Sequence, residues 1–186
     1  MRLFLAIEIP GEIRDALVAF VNQLKKIAPK AKWVRRENLH VTLKFLGSTD
    51  AEKLEQIETV LRGIRSAEPV ALEFRGLGFF PNEKRARVFW AGMESSANLR
   101  PLAGDIDRAV HQLGFPLEER PFTPHLTLAR FDPPGLPPNL GAAVRQHSSR
   151  HFGSLSTLEF RLIESELKPT GAEYTTLQSF PFVAET

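Results

Sequence analysis

His40-Val41-Thr42-Leu43 and, 85 residues further on, His125-Leu126-Thr127-Leu128 are the stretches that decide how this chain is read. In each, polar and apolar side chains alternate, the period of a strand with one face in a core. Val41, Leu43, Leu126 and Leu128 then point inward, and each histidine shares the other face with its threonine. The same displacement sets Val88-Phe89-Trp90-Ala91 on Leu3-Phe4-Leu5-Ala6, and one residue more sets Leu158-Glu159-Phe160-Arg161 on the identical Leu72-Glu73-Phe74-Arg75. A helical stripe precedes each histidine strand: Ile13, Leu17, Phe20, Leu24 and Ile27, then Leu99, Leu102, Ile106, Val110 and Leu113. Such self-similarity marks a duplicated unit. We therefore expect one α+β domain over residues 1–186, built of two duplicated lobes in repeat units of about 1–68 and 69–170, with a last strand at 173–183. Two such lobes pack most simply about a pseudo-twofold axis, with antiparallel sheets lining a central cleft and helices outside.

The rest of the chain is punctuated accordingly. Thr49 and Glu52 have the spacing of a capping box ahead of a helix bearing Leu54, Ile57, Leu61 and Ile64. Strands at Val70 to Phe80 and Ala86 to Met93 flank a polar hairpin tip, Pro81 to Arg85. Four prolines between Asp132 and Pro138 require a loop, Asn139 to Gln146 reads as a short helix, and two strands near Leu155 to Leu167 and Tyr174 to Phe182 close the chain.

Composition sets the outer bounds. A chain of 186 residues, 42% apolar and 25% charged, is of the globular class, which excludes collagen-like and disordered readings. Without cysteine it has no disulfide scaffold, thiolate metal site or cysteine nucleophile. No apolar run is long enough to cross a bilayer and no leader pattern follows Met1, so the expectation is a cytoplasmic protein with no membrane partner. The net charge is only +2, but Lys25, Lys26, Lys30, Lys32, Arg35 and Arg36 form a basic stretch free of acids. Such a run is ordinarily a solvated face; together with Lys84, Arg85 and Arg87 it could also guide a polyanion.

Imidazole titrates nearest neutrality, so two histidines facing each other serve as base and acid at once, with a threonine hydroxyl beside each as a hydrogen-bond donor. One His-x-Thr is most often a pair of strand residues satisfying backbone groups; two at equivalent points of a repeat argue for a shared site. Arg130 lies five residues past His125, and Phe45 takes the matching place after His40. Strict alternation sets both on the core face, so Arg130 reaches a phosphate or base only if the strand ends or twists there. Phe45 is either a stacking surface for a nucleobase or core packing beside Val41 and Leu43. His111 ends a helix and is read as structural; His147 and His151 lack the flanking carboxylate that would complete a metal site.

These residues carry a resemblance. Arg2 to Ile7, Asn38 to Leu43 with Phe45-Leu46-Gly47, Pro121 to Arg130, and Ser165 to Gly171 with Tyr174 resemble the 2H phosphoesterase superfamily, most closely the bacterial RNA 2′,3′-cyclic phosphodiesterases, also called 2′-5′ RNA ligases. The resemblance implies a bilobal fold and opening of a 2′,3′-cyclic phosphate to a 2′-phosphomonoester without a metal or other cofactor. It makes His40 the proton donor and His125 the proton acceptor. Thr42 and Thr127 would hold nonbridging oxygens, and Arg130 and Phe45 would contact substrate. The implied partner is RNA with a 2′,3′-cyclic phosphate or 2′-phosphate end, or a small cyclic nucleotide, and closed internal symmetry makes a monomer sensible. Ligation through 2′-5′ bonds is the same chemistry reversed. An RNA- or nucleotide-end binding module with weak catalysis, and a metal-dependent hydrolase, are the competing readings.

Overall fold

The computed structural model describes residues 1–183, so the last three residues of the expected 1–186 span lie outside it. Strand β1 (Arg2–Glu8) ends before Pro10, which turns the chain into helix α1 (Gly11–Lys25). Then come β2 (Lys32–Trp33), β3 (His40–Ser48), α2 (Leu54–Leu61), β4 (Val70–Phe80), β5 (Val88–Ser95) and α3 (Leu99–His111). They are followed by β6 (His125–Arg130), α4 (Leu140–Arg145), β7 (His151–Thr157), β8 (Glu159–Lys168) and β9 (Gly171–Pro181). The strands form two antiparallel sheets, ordered β3-β1-β8-β9 and β2-β6-β5-β4-β7. Helix α1 lies against β7, and α3 lies against β3 and α2. One continuous apolar core joins the inner faces of both sheets, with Phe20, Phe74, Phe89 and Phe160 fully buried. Phe4, Ala6 and Ile163 form a small separate cluster, as alternation along β1 requires for its other face.

The two sheets do not follow chain order: β2 pairs with β6 in the second sheet, and β8 pairs with β1 in the first. The short polar tip at Pro81–Arg85 makes a hairpin of β4 and β5, so β4 belongs to the second sheet. β8, its counterpart by the Leu-Glu-Phe-Arg match, pairs with β1 in the first sheet. Counted from β1 and from β5, the repeats thus exchange their fourth strands, β4 and β8. Register also corrects the alignment of β1 with β5. Ala6 faces Thr42 as Trp90 faces Thr127, so Trp90 is equivalent to Ala6 and not to Leu5. Matching like residues had set Phe89 on Phe4, yet Phe89 is in the main core and Phe4 is on the opposite face; a slip of one residue reverses every side chain.

Two local expectations also differ. The capping box does not form: the Thr49 hydroxyl donates to the Gly47 carbonyl at 3.2 Å, a 3-10 turn occupies Ala51–Lys53, and α2 begins only at Leu54. The strand expected near Leu155–Leu167 is two strands in different sheets. The chain crosses at Leu158, 55% exposed, where the Thr157 hydroxyl donates to the Glu159 carbonyl at 2.9 Å in place of a glycine or proline turn.

Candidate active site

β3 and β6 are matched: each pairs with the first strand of its repeat, β1 or β5, and the two lie next to each other between the sheets. His40 stands opposite Glu8 and Thr42 opposite Ala6; His125 stands opposite Gly92 and Thr127 opposite Trp90. All four side chains occupy the faces turned away from the main core, and all are partly exposed.

A β-bulge recurs at the same point in both strands. Leu5 pairs with Lys44 and Ala6 with Thr42, leaving Leu43 without a partner of its own; Phe89 pairs with Ala129 and Trp90 with Thr127, leaving Leu128 without one. An extra residue on one strand reverses the alternation beyond it. Leu43 and Lys44 are therefore both buried, as are Leu128 and Ala129. Phe45 and Arg130 emerge on the histidine face, opposite Phe4 and Val88. The bulge removes the parity conflict for Arg130. It also excludes the core reading of Phe45, which is 65% exposed with its ring 6.0 Å from that of Phe4.

Each imidazole faces a carbonyl two residues earlier, but only that of His125 makes the full hydrogen bond. His125 Nδ1 lies 2.9 Å from the Thr123 carbonyl, two residues earlier in the chain. A carbonyl only accepts, so Nδ1 carries a proton, and in the neutral ring the lone pair is on Nε2. At the equivalent place, the Asn38 carbonyl lies near enough to His40 to favour its charged form, although the buried Nδ1 has no partner of full hydrogen-bond geometry. Burial is the larger influence and, helped by the charges of Arg14 and Arg161, holds the His40 pKa below the ordinary histidine value.

Around this common frame the two faces differ. Phe4 meets His40 edge to face at 6.3 Å, and Tyr174 of β9 lies 5.8 Å from His40 and 4.9 Å from Phe4. Glu8, opposite His40, binds Arg161 at 2.5 Å and reaches Arg14 at 3.8 Å. On the other face Phe80 meets His125 edge to face at 5.1 Å, backed by Trp90 at 5.2 Å. The indole lies directly over Gly78, where a Cβ would run into it, so no other residue fits beneath without moving the ring. Sequence reasoning did not single out Phe4, Glu8, Phe80, Trp90 or Arg161. Gly78 and Gly92, each inside a strand pattern, were the available signals of a close approach.

The remaining histidines lie elsewhere. His111 Nδ1 is 2.8 Å from the Phe115 carbonyl at the end of α3. His147 packs edge-on to Phe20 at 5.2 Å, while His151 turns to Glu73 at 3.4 Å. Among the described residues no cluster of histidine and acidic side chains gathers to hold a metal, and no helix is long and apolar enough to cross a membrane.

Known proteins share this frame. The chain is 35% identical to the RNA 2′,3′-cyclic phosphodiesterase of Methanothermobacter thermautotrophicus, an alignment covering 97% of this chain and 98% of that one. It is 37% identical to the Thermus thermophilus protein of the same description, over 100% and 92%. A crystal structure from Thermus thermophilus superposes with a TM-score of 0.78 at 34% identity, covering 100% of both chains. E. coli LigT in complex with 3′-AMP superposes at 0.77 with 27% identity, covering 98% of each. The profile of the LigT like phosphoesterases matches twice, over residues 7–90 and 92–174, and the two starting points differ by the same 85 positions (92 − 7) as the histidine motifs. The doubled frame of strands and histidines is therefore inherited: the chain belongs to the LigT-like phosphoesterase family.

Proposed function

We propose that the two histidine faces form one cleft in which an RNA 2′,3′-cyclic phosphate is opened to a 2′-phosphomonoester, within a single domain made by duplication. The observation that carries this reading is the doubled geometry: two His-x-Thr strands side by side, each imidazole facing a carbonyl two residues earlier, each followed by the same bulge. His125, neutral with its lone pair on Nε2, takes a proton from water as the water oxygen bonds to phosphorus. His40, protonated, gives a proton to the departing 3′ oxygen as the P–O3′ bond breaks. In-line displacement needs the base and the acid on opposite sides of the phosphate, and a pseudo-twofold pair of strands supplies two such sides. Thr42 and Thr127 donate to the nonbridging oxygens, and losing such a donor costs roughly 2.7–4 kcal/mol in comparable sites. Arg130 holds phosphate or base, and Phe45 stacks on a base. No step requires a metal. The same site run backward joins ends through a 2′-5′ bond.

The test is hydrolysis of a 2′,3′-cyclic nucleotide in the presence of chelator. His40→Ala and His125→Ala should each lower the rate by about 10²–10⁴. Near-full activity in either variant would overturn the assignment, and equal affinity for cyclic and opened ends without turnover would favour a binding module.

A further inference from the structure

The β2–β6 pairing joins two basic segments that are far apart in the sequence. Lys32 pairs with Arg130, and Arg130 pairs on its other side with Val88, which pairs with Phe80. Paired residues share a face, so Lys32, Arg130, Val88 and Phe80 form one row across the second sheet, on the His125 side. Trp33 takes the other face, its ring 6.1 Å from the core residue Phe89, which fixes the orientation of Lys32. The hairpin tip with Lys84 and Arg85, both exposed, extends from the Phe80 and Val88 end of this row. Two acids face it: Asp132 pairs with Lys32 at 3.1 Å, an exposed contact, and Glu83 is taken by Arg145. Among the described residues Arg130, Lys84 and Arg85 have no acidic partner. The rest of the Lys25–Arg36 stretch is committed elsewhere or solvated. Arg36 binds Asp15 at 2.6 Å, Arg35 donates to the Ala172 carbonyl, and Lys25, Lys26 and Lys30 are exposed.

We infer that this row and tip are a track for the single-stranded RNA body that leads to the cyclic phosphate, with Lys32, Lys84 and Arg85 meeting successive phosphates and Phe80 and Val88 lying beneath the bases. The inference rests on the reading of the site given above. Cations interleaved with an aromatic ring suit a flexible single strand, whose affinity comes from phosphates and whose bases are free to stack. From His125 to Arg130 the strand runs about 16 Å, so a mononucleotide held between the histidines does not reach the tip, whereas an oligonucleotide does.

The experiment combines Lys32→Gln, Lys84→Glu and Arg85→Glu in one variant and follows two substrates, a 2′,3′-cyclic mononucleotide and an eight-residue RNA ending in the cyclic phosphate. The expected result is a loss of kcat/KM on the oligonucleotide of at least about tenfold at low salt, with the salt dependence shallower by roughly 2 in log–log slope. Turnover of the mononucleotide should stay within about twofold, since these exposed side chains carry no core packing. Equal loss on both substrates, or no loss on the oligonucleotide, overturns the track. Fluorescence anisotropy with an unreactive RNA of the same length separates this from the catalytic proposal. If wild-type protein hydrolyses neither substrate, the catalytic reading fails, and undiminished RNA affinity in the variant would then refute the track independently.

Discussion

The two lobes repeat a backbone and differ in what they place on it. Past the first bulge the chain buries Lys44 and exposes Phe45; past the second it buries Ala129 and exposes Arg130. Under the threonines the contrast continues, since Ala6 lies beside Arg161 in one sheet and Trp90 beside Gly78 in the other. A bulge sends two consecutive residues inward and the next outward, and that pattern is all the histidine geometry demands. The residues filling it are free to diverge, so past its bulge one strand presents an exposed phenylalanine and the other an exposed arginine.

Lys44 is where breaking the comparison should cost most. Its ammonium, 3% exposed as a residue, binds Asp107 at 2.7 Å, Glu118 at 2.8 Å and the Pro116 carbonyl at 2.7 Å. Lys44→Ala leaves Asp107 facing an empty site and should destabilise by about 3–5 kcal/mol, lowering Tm by roughly 6–20 °C. Ala129→Gly at the matching position should cost only about 0.5–1 kcal/mol. Calorimetry of the pair measures how far the bulges have diverged; equal costs would mean that Lys44 serves no special purpose.

Gly78 sharpens the contrast between the floors. Gly78→Ala must displace the Trp90 indole and through Phe80 tilt His125, with an expected cost of about 1–3 kcal/mol and a fall in kcat at unchanged KM. Arg161→Ala, at the equivalent place, removes partly exposed ion pairs to Glu8 and Glu159 and should cost only about 0–1 kcal/mol. At the tips, Phe45→Ala should weaken binding of a nucleotide substrate by about 1–3 kcal/mol while barely moving Tm. Arg130→Ala should flatten the salt dependence on an oligonucleotide by about 0.7.

His40 supplies the smallest and most specific effect. Burial holds its folded pKa below the unfolded value, so the unfolded chain binds the extra proton first as pH falls. Its contribution to stability is intact above about pH 6.5 and is lost as pH drops toward the folded pKa. His40→Gln should remove that part of the stability profile, as denaturant titration across pH 5 to 7 would register. For the acid role, kcat/KM should decline with rising pH from a pKa below that of free histidine. The kcat profile should fall later, because a bound phosphate anion favours the charged ring.

The motifs themselves were readable because strand alternation and repetition leave marks in composition. Val70 to Phe80 was bounded by a helix on one side and a polar tip on the other, and the strand occupies those residues. The bulges left no such mark. Leu43-Lys44-Phe45 and Leu128-Ala129-Arg130 contain no glycine, and only pairing with β1 and β5 shows that the alternation slips there. Trp90 and Phe89 are both large and apolar, so residue type could not say which faced the cleft; register did. The crossing at Leu158 was hidden for a similar reason, a threonine hydroxyl performing there what a glycine or proline commonly does.

The exchange of β4 and β8 reaches into how the molecule is made. The sheet bearing His40 takes β1 from residues 2–8 and β8 and β9 from residues 159–181. Synthesis runs from the amino end, so β1 must wait for nearly the whole polypeptide to leave the ribosome before both its neighbours exist. Severing the gene between the two halves would consequently yield not two miniature enzymes but two fragments that fold only in each other's company.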